Sequence, residues 1–375
     1  MRPFVRHTPL EPSPWLSGLA AAAANGRGAG QDAAACASAS AGQEHSPPAA
    51  CPPQQPSAAA PCRVALKLES EQHTGSFKVR GALNKLLSLS PEAIAPGVFT
   101  ASTGNHALAV LFAAAALSAA AREPDGSSSS SRKALAKLRS LGGHLVLHGN
   151  DCLQSETAAR EAAAAAGAVY VSPYNDPWVM AGQGTVALEL LTARRRGRLD
   201  AVLVPVGGGG LIGGVAAVLK AADPGIRVIG CQPAASCVMA RSVAAGAVQP
   251  EYDCAADRDG DPDAAAAAAA AATEGTLSDA TAGGVEYDSV TLQPCMDCVD
   301  EWVTVGEGEI AEAMADMLEH HSKLIEGAAG CAVAAFKRLA ARLAGQWVVL
   351  VVCGGNVALP TLRRALDMAR PEGAS

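Results

Sequence analysis

The stretch Glu71–Gly81, EQHTGSFKVRG, decides how the rest of the chain is read. It places Lys78 on a short turn, beside a side chain, Phe77, bulky enough to exclude water. Desolvation disfavours an ammonium, so a lysine held there can lose its proton. A free amine is the nucleophile that forms Schiff bases with carbonyl groups. Most lysines are solvated surface charges, however, and a Ser-Phe-Lys run alone does not separate the two readings.

Outward from this stretch the chain alternates short apolar runs with helical patterns. Strand candidates are Val64–Leu68, Gly97–Ala101, His144–His148, Ala168–Ser172, Ala201–Val206, Arg227–Gln232, Glu301–Val305 and Trp347–Cys353. Helical stretches such as Phe77–Leu89, Gly184–Arg195 and Gly308–His321 lie between them. That alternation predicts an α/β protein with mainly parallel sheets. Such sheets take ligands in the loops after their strands.

Three of those loops carry unusual residues. Ser102-Thr103-Gly104-Asn105-His106 leads into a helix and offers N–H and O–H donors suited to a carboxylate; the plain alternative is an ordinary Ser or Thr N-cap. Gly207-Gly208-Gly209-Gly210-Leu211 follows AVLVPV and lets backbone amides close on a phosphate without Cβ obstruction. Cys353-Gly354-Gly355-Asn356 ends the last strand in a close-approach loop, or in a tight turn with a buried thiol. Gly208, Gly210 and Gly213 also match GxGxxG, but the next strand ends in Cys231-Gln232 instead of the acid a dinucleotide ribose requires. A single phosphate is the better fit.

Composition bounds the function classes. The 375 residues suffice for two domains. Hydrophobic residues reach 49% but aromatics only 3%, so alanine supplies much of the core. A net charge of −7 offers no general basic field for nucleic acid. The 11 cysteines suit a reducing compartment, and Cys295 and Cys298 form a CxxC with no second pair at zinc-finger spacing. The apolar run Ala107–Ala121 falls short of the roughly 18 residues a membrane span needs. The first residues, MRPFVRHTPLEPSPWL, contain no export h-region, and a cytoplasmic protein is expected. Segments 20–61, 122–132 and 252–273 read as low-complexity surface inserts. The alternating Asp257, Asp259, Asp261 and Asp263 lack the glycine position and closing glutamate of a calcium loop.

With these loops assembled, the chain resembles the fold-type-II pyridoxal-phosphate enzymes, and within them the threonine/serine dehydratase and serine racemase family. The motifs are HTGSFKVRGA (73–82), ASTGNHA (101–107), SPYNDPWVMAGQGT (172–185), PVGGGGLIGG (205–214) and CGGN (353–356). The resemblance implies a tryptophan-synthase-β-like fold of two α/β domains. Residues 1–87 and 176–375 would form the large domain and 88–175 the small one. It implies pyridoxal 5'-phosphate as cofactor, a small amino-acid substrate and a homodimer.

Carried onto this sequence, Lys78 would bind the cofactor as a Schiff base and take the α-proton. Phe77 would flank the ring and Asn105 would bond its hydroxyl. Gly207, Gly208, Gly209, Gly210 and Leu211 would cradle the phosphate. Cys353 would face the pyridine nitrogen, with Glu326 of IEGAAG near the cofactor. Ser102, Thr103 and His106 would hold the substrate carboxylate. Loss of a β-hydroxyl would then yield a 2-oxo acid and ammonia. A thiol does not keep the pyridine nitrogen protonated, which favours β-elimination over transamination.

Departures qualify the resemblance. Thr103 stands where racemases of the family carry an acid/base serine, so racemase chemistry stays an alternative. A degenerate cofactor-binding paralogue is another, because the serine-rich stretch 122–132 replaces a usual strand. Where cation-binding members carry acids, this chain has Gln232 and Val238, so no metal site is expected. About twenty residues follow Asn356, so no C-terminal regulatory domain is expected.

Overall fold

A computed structural model describes residues 3–31, 62–102, 104–120, 152–193, 198–251 and 275–370. The chain enters through strand β1 (Leu10–Pro12), helix α1 (Pro14–Gln31) and β2 (Arg63–Leu68). A single turn, Glu69–Glu71, leads to α2 (Lys78–Leu87), then to α3 (Pro91–Ile94) and β3 (Val98–Phe99). Next come α4 (Asn105–Ala120), α5 (Cys152–Ala165), β4 (Val169–Tyr170), α6 (Pro177–Ala193), β5 (Ala201–Pro205), α7 (Gly210–Ala222) and β6 (Arg227–Pro233). The last part runs α8 (Val238–Ala245), α9 (Leu292–Cys298), β7 (Glu301–Val305), α10 (Glu307–His321), α11 (Gly327–Leu339), β8 (Trp347–Val352) and α12 (Leu359–Ala369).

Six strands form the main sheet in the order β1-β2-β8-β5-β6-β7, and β3 pairs with β4 in a sheet of two. Every pairing is parallel except β1 with β2. The strands β5 and β8 read AVLVP and WVVLVV and are buried along almost their whole length, as two-sided parallel strands must be. The edge strand β1 escapes sequence reading because LEP is three residues long and ends in a proline, a residue tolerated only at an edge.

Two boundaries correct the sequence expectation. The helix α1 continues through Gln31, past the start of the segment expected as an insert from Ala20, and Ala20 is fully buried against the main core. Alanine's high helix propensity outweighs the low complexity of the run. The helix expected from Gly184 begins at Pro177 instead. Asp176 caps it by accepting from the Trp178 amide at 2.7 Å and the Val179 amide at 3.1 Å, and proline suits the first helical position. Residues 32–61 of the first insert, the segments 122–132 and 252–273, and the strand expected at His144–His148 lie outside the described residues.

Helices α2, α6 and α7 pack backbone to backbone. A Cβ on Gly182 would sit 2.5 Å from the Arg80 carbonyl oxygen, and one on Gly214 would sit 2.2 Å from that of Met180. Beneath α2 lies a buried charge cluster. Arg80 grips Glu69 through Nε at 2.7 Å and Nη2 at 2.8 Å, and reaches Glu189 of α6 at 2.7 Å. Lys67 of β2 pairs with the other Glu189 oxygen and donates to the Thr8 carbonyl at 2.7 Å. Two cations against two carboxylates leave the cluster neutral, so none of its buried charges is uncompensated.

Candidate active site

The residue that opens α2 is Lys78, and the turn before it is held by the loop after β8. The Phe77 amide donates to the Cys353 carbonyl at 3.0 Å, and the Gly355 amide to the Gly75 carbonyl at 3.0 Å. Gly75 has φ +75, and a Cβ there would meet Asn356 Oδ1 at 2.6 Å, so only glycine fits. The two motifs HTGSFK and CGGN, far apart in sequence, therefore form one structural unit. Lys78 Nζ donates to the Pro173 carbonyl at 2.9 Å and lies 5.3 Å from the Phe77 ring centroid.

A cavity of about 50 Å³ opens beside this lysine. Phe77, Lys78, Asn105, Gly207, Gly208, Gly209, Gly210, Leu211, Glu326 and Cys353 line it, joined by Tyr174, Pro205, Ala280, Thr281 and Ala328. Gly209 stands at φ +85 before the first turn of α7. Among the described residues, the amides of Gly207, Gly208 and Gly209 donate to no protein acceptor. Unpaired amides at a helix N-terminus are a ready anion site.

Opposite the glycines, Asn105 donates from Nδ2 to both Glu326 oxygens, at 2.9 and 3.1 Å, and accepts from Asn356 at 2.6 Å. The Cys353 thiol donates to Glu326 Oε1 at 3.6 Å. Burial raises the Glu326 carboxyl above its ordinary pKa, and burial together with Glu326 pushes the Cys353 thiol well up. Cys353 therefore stays protonated at neutral pH.

The loop expected to take a carboxylate is less complete. Neither Ser102 nor His106 lines the cavity. The Ser102 hydroxyl accepts from the Gly104 amide at 3.2 Å, and Thr103 lies outside the described residues. His106 is buried, with Nε2 3.0 Å from the Val171 carbonyl. Nε2 must carry the proton to make that bond, leaving Nδ1 as a buried acceptor without a partner among the described residues. Burial, with a smaller contribution from Lys78, brings the His106 pKa down to about 3, so the ring is neutral.

Sequence reading missed Tyr174, which sits inside the motif SPYNDPWVMAGQGT and gave no chemical signal of its own. Ala280 and Thr281 follow the third insert, where no motif leads to them. Gln232 accepts from the Ala240 amide at 2.9 Å and so caps α8, and Val238 is buried. Among the described residues, Asp316, Glu319 and His320 come close enough to share an ion, but Asp316 already pairs with Lys337 and Arg370, and Glu319 with Arg370. Cys295 is a buried thiol raised by burial to about 12, and Cys298 is half-buried. Cys237 is disulfide-bonded, which departs from the expectation of reduced cysteines that six other described ones meet.

Residues 50–354 match the family described as pyridoxal-phosphate dependent enzyme. L-threonine ammonia-lyase of Geobacter sulfurreducens is 36% identical over 301 residues, spanning 80% of this chain and 68% of the relative. The catabolic L-threonine dehydratase of Escherichia coli K12 is 33% identical over 304 residues, 79% of this chain and 83% of the relative. Among solved structures, maize serine racemase superposes with a TM-score of 0.70 at 24% identity, over 97% of this chain and 93% of that one. The glycine amides at a helix start, the lysine beside them and the polar trio beyond suit a phosphate, an aldehyde carbon and a ring in turn. The residues present fit pyridoxal phosphate.

Proposed function

The chain belongs to the pyridoxal-phosphate-dependent enzyme family, and on that footing we propose that it is an ammonia-lyase acting on threonine, serine or a related β-hydroxy amino acid. The observation that carries this reading is the single cavity shared by Lys78, the glycine loop and the Asn105–Glu326–Cys353 cluster. When bound there, pyridoxal phosphate supplies an electron-withdrawing ring that acidifies the α-carbon of an attached amino acid.

The protein's own part is positional and acid–base. The amides of Gly207, Gly208, Gly209, Gly210 and Leu211 would bind the phosphate, and Asn105 would bond the ring hydroxyl while Glu326 holds the Asn105 side-chain amide in place. Phe77 would flank the ring next to Lys78. Cys353, a neutral thiol, would face the ring nitrogen and would not keep it protonated. Lys78 Nζ would anchor the cofactor and take the α-proton of the amino acid. Ser102 and Thr103 receive the substrate carboxylate, with neutral His106 supporting their loop from below. Departure of the β-hydroxyl leads to a 2-oxo acid and ammonia. We take residues 1–87 with 176–375, and 88–175, as the two domains of a cytoplasmic homodimer. No helix among the described residues is long and apolar enough to cross a membrane.

The test is the visible absorbance of the purified protein together with oxo-acid release from a panel of hydroxy amino acids. A coloured protein that forms 2-oxobutanoate from threonine or pyruvate from serine is the expected result. Lys78→Ala should lose both the bound-cofactor absorbance and at least about a thousandfold in turnover. An unchanged spectrum in that variant would refute the assignment of Lys78. Chiral analysis of recovered serine reports the racemase reading, which predicts D-serine.

A further inference from the structure

Tyr174 does more than line the cavity, because its ring is pressed on the glycine loop. A Cβ on Gly208 would meet the ring Cγ at 2.5 Å, and one on Gly210 would meet Tyr174 Cα at 2.9 Å. At the far end of the ring, the hydroxyl accepts from the Glu286 amide at 3.0 Å and donates to Glu156 Oε2 at 3.4 Å. Glu156 comes from α5 and is only 6% exposed.

The same few residues close a circuit. The Glu286 carboxylate pairs with Arg160, one turn beyond Glu156, and accepts from the Asn175 side-chain Nδ2. Further along that segment, Thr291 donates to the Gly208 carbonyl at 2.6 Å. Among the groups that pack on the glycine loop, which include Thr291, Met239 and Thr281, the Tyr174 ring is the one whose contacts run on to α5 among the described residues. Among those residues, the side-chain tie to the Tyr174 hydroxyl is Glu156, the Glu286 contact being made by a backbone amide that no substitution of Glu286 removes.

We propose that Glu156 is a positioning residue for the phosphate cradle: through the Tyr174 hydroxyl it fixes the ring against which the glycine loop takes its shape. The inference rests on the glycine loop being the phosphate site. Burial first, and Glu286 second, push the Glu156 carboxyl up to about 7, while Lys78, Tyr174 and Arg160 oppose the rise. Either protonation state offers an oxygen to the Tyr174 hydroxyl, so an amide can replace the carboxyl in this role.

The experiment strips the purified holoenzyme of cofactor and titrates it, by visible absorbance, with pyridoxal phosphate and in parallel with pyridoxal, which has no phosphate. The proteins are wild type, Tyr174→Phe, Glu156→Ala, Glu156→Gln and the double variant Tyr174→Phe/Glu156→Ala. Tyr174→Phe and Glu156→Ala should each weaken pyridoxal phosphate about tenfold, the double variant no more than Tyr174→Phe alone, and Glu156→Gln should bind like wild type. Pyridoxal affinity should be the same in all five. Losses that add in the double variant, equal losses for pyridoxal, or no loss would overturn the proposal. If Glu156→Ala does not fold, Glu156→Leu, which keeps the volume but offers no oxygen to the Tyr174 hydroxyl, takes its place with the same expected loss, and Glu156→Gln remains the control that should restore wild-type binding. A wild type that forms no coloured complex overturns the phosphate-site reading itself, and this inference with it.

Discussion

The two walls of the cavity are held by opposite means. Under Lys78, the helix α2 is locked by fully buried Arg80 and Glu69, with Lys67 and Glu189 completing the cluster, on the edge of a six-stranded sheet. Across the cavity, Tyr174 follows β4, one strand of the small sheet of two strands with two residues each, and packs in the main core against the glycine loop. The ion pair on that side, Arg160 with Glu286, has an arginine that is 48% exposed. The helix that begins at Lys78 therefore has its charged face locked inside the protein, while its apolar residues Val79, Ala82, Leu83 and Leu86 pack in the smaller core. The ties on the Tyr174 side include a half-exposed arginine and single hydrogen bonds, which open at lower cost.

The sharpest way to break this comparison is to remove one cation on each side. Arg80→Met leaves Glu69 buried without its partner, and the expected loss is about 3–5 kcal/mol of stability. Arg160→Met removes a half-exposed guanidinium from Glu286, whose side chain is only 8% exposed but keeps the Asn175 side-chain amide as a donor. The expected loss is smaller, about 1–2 kcal/mol. Urea unfolding of both variants, read as midpoints at constant slope, checks the contrast. Equal losses would mean that the two walls are held alike.

A smaller contrast lies in the glycines. Gly182→Ala puts a Cβ 2.5 Å from the Arg80 backbone oxygen, where no side chain can yield, so α2 and α6 must separate. Overpacking of that kind costs about 1–3 kcal/mol. On the other side Gly167 stands at φ +61 with nothing within 4 Å of a built Cβ. Alanine there meets only backbone strain, expected at about 1 kcal/mol. Thermal midpoints rank the two, and cofactor absorbance should fall in Gly182→Ala alone, because only that change moves the helix that begins at Lys78.

Legibility in the sequence follows the same division. The strands β2, β5, β6 and β8 were readable because two-sided burial writes them as apolar runs. The edge strand β7 was readable because EWVTV is rich in β-branched and aromatic residues, and the glycine loop because four successive glycines have few structural uses. Lys78 gained meaning from the loops around it. The edge strand β1 was not readable, since three residues ending in proline carry no alternation. Tyr174 and Glu156 were hidden for another reason. An aromatic ring and a helical glutamate look like core and surface, and only the 3.4 Å contact between them reveals a connection. Nothing local announces that the Gly75 turn and the Asn356 loop share space, because that contact spans most of the chain.

A last contrast separates two groups near the Tyr174 wall by the sign of their pH dependence. His106 is neutral in the folded protein down to about pH 3 but titrates near its ordinary 6.5 when unfolded. Between those values the unfolded state binds more protons, so this residue makes stability rise with pH. Glu156 does the reverse. Its folded pKa of about 7 lies above the ordinary 4.5, so the folded state binds more protons and stability falls as pH rises through that window. Between about pH 4.5 and 6.5 the two slopes oppose each other, and wild type should be nearly flat so far as these residues are concerned. Glu326 and Asp279 are also raised by burial, but they titrate equally in wild type and in a Glu156 variant. The difference between the two proteins therefore isolates Glu156. Glu156→Gln should gain stability relative to wild type steadily from pH 4.5 to 7 and hold a constant advantage above it, measured as the difference in thermal midpoint across the series. A difference that stays level with pH would mean that Glu156 is an ordinary solvated carboxylate and that the Tyr174 wall carries no buried charge.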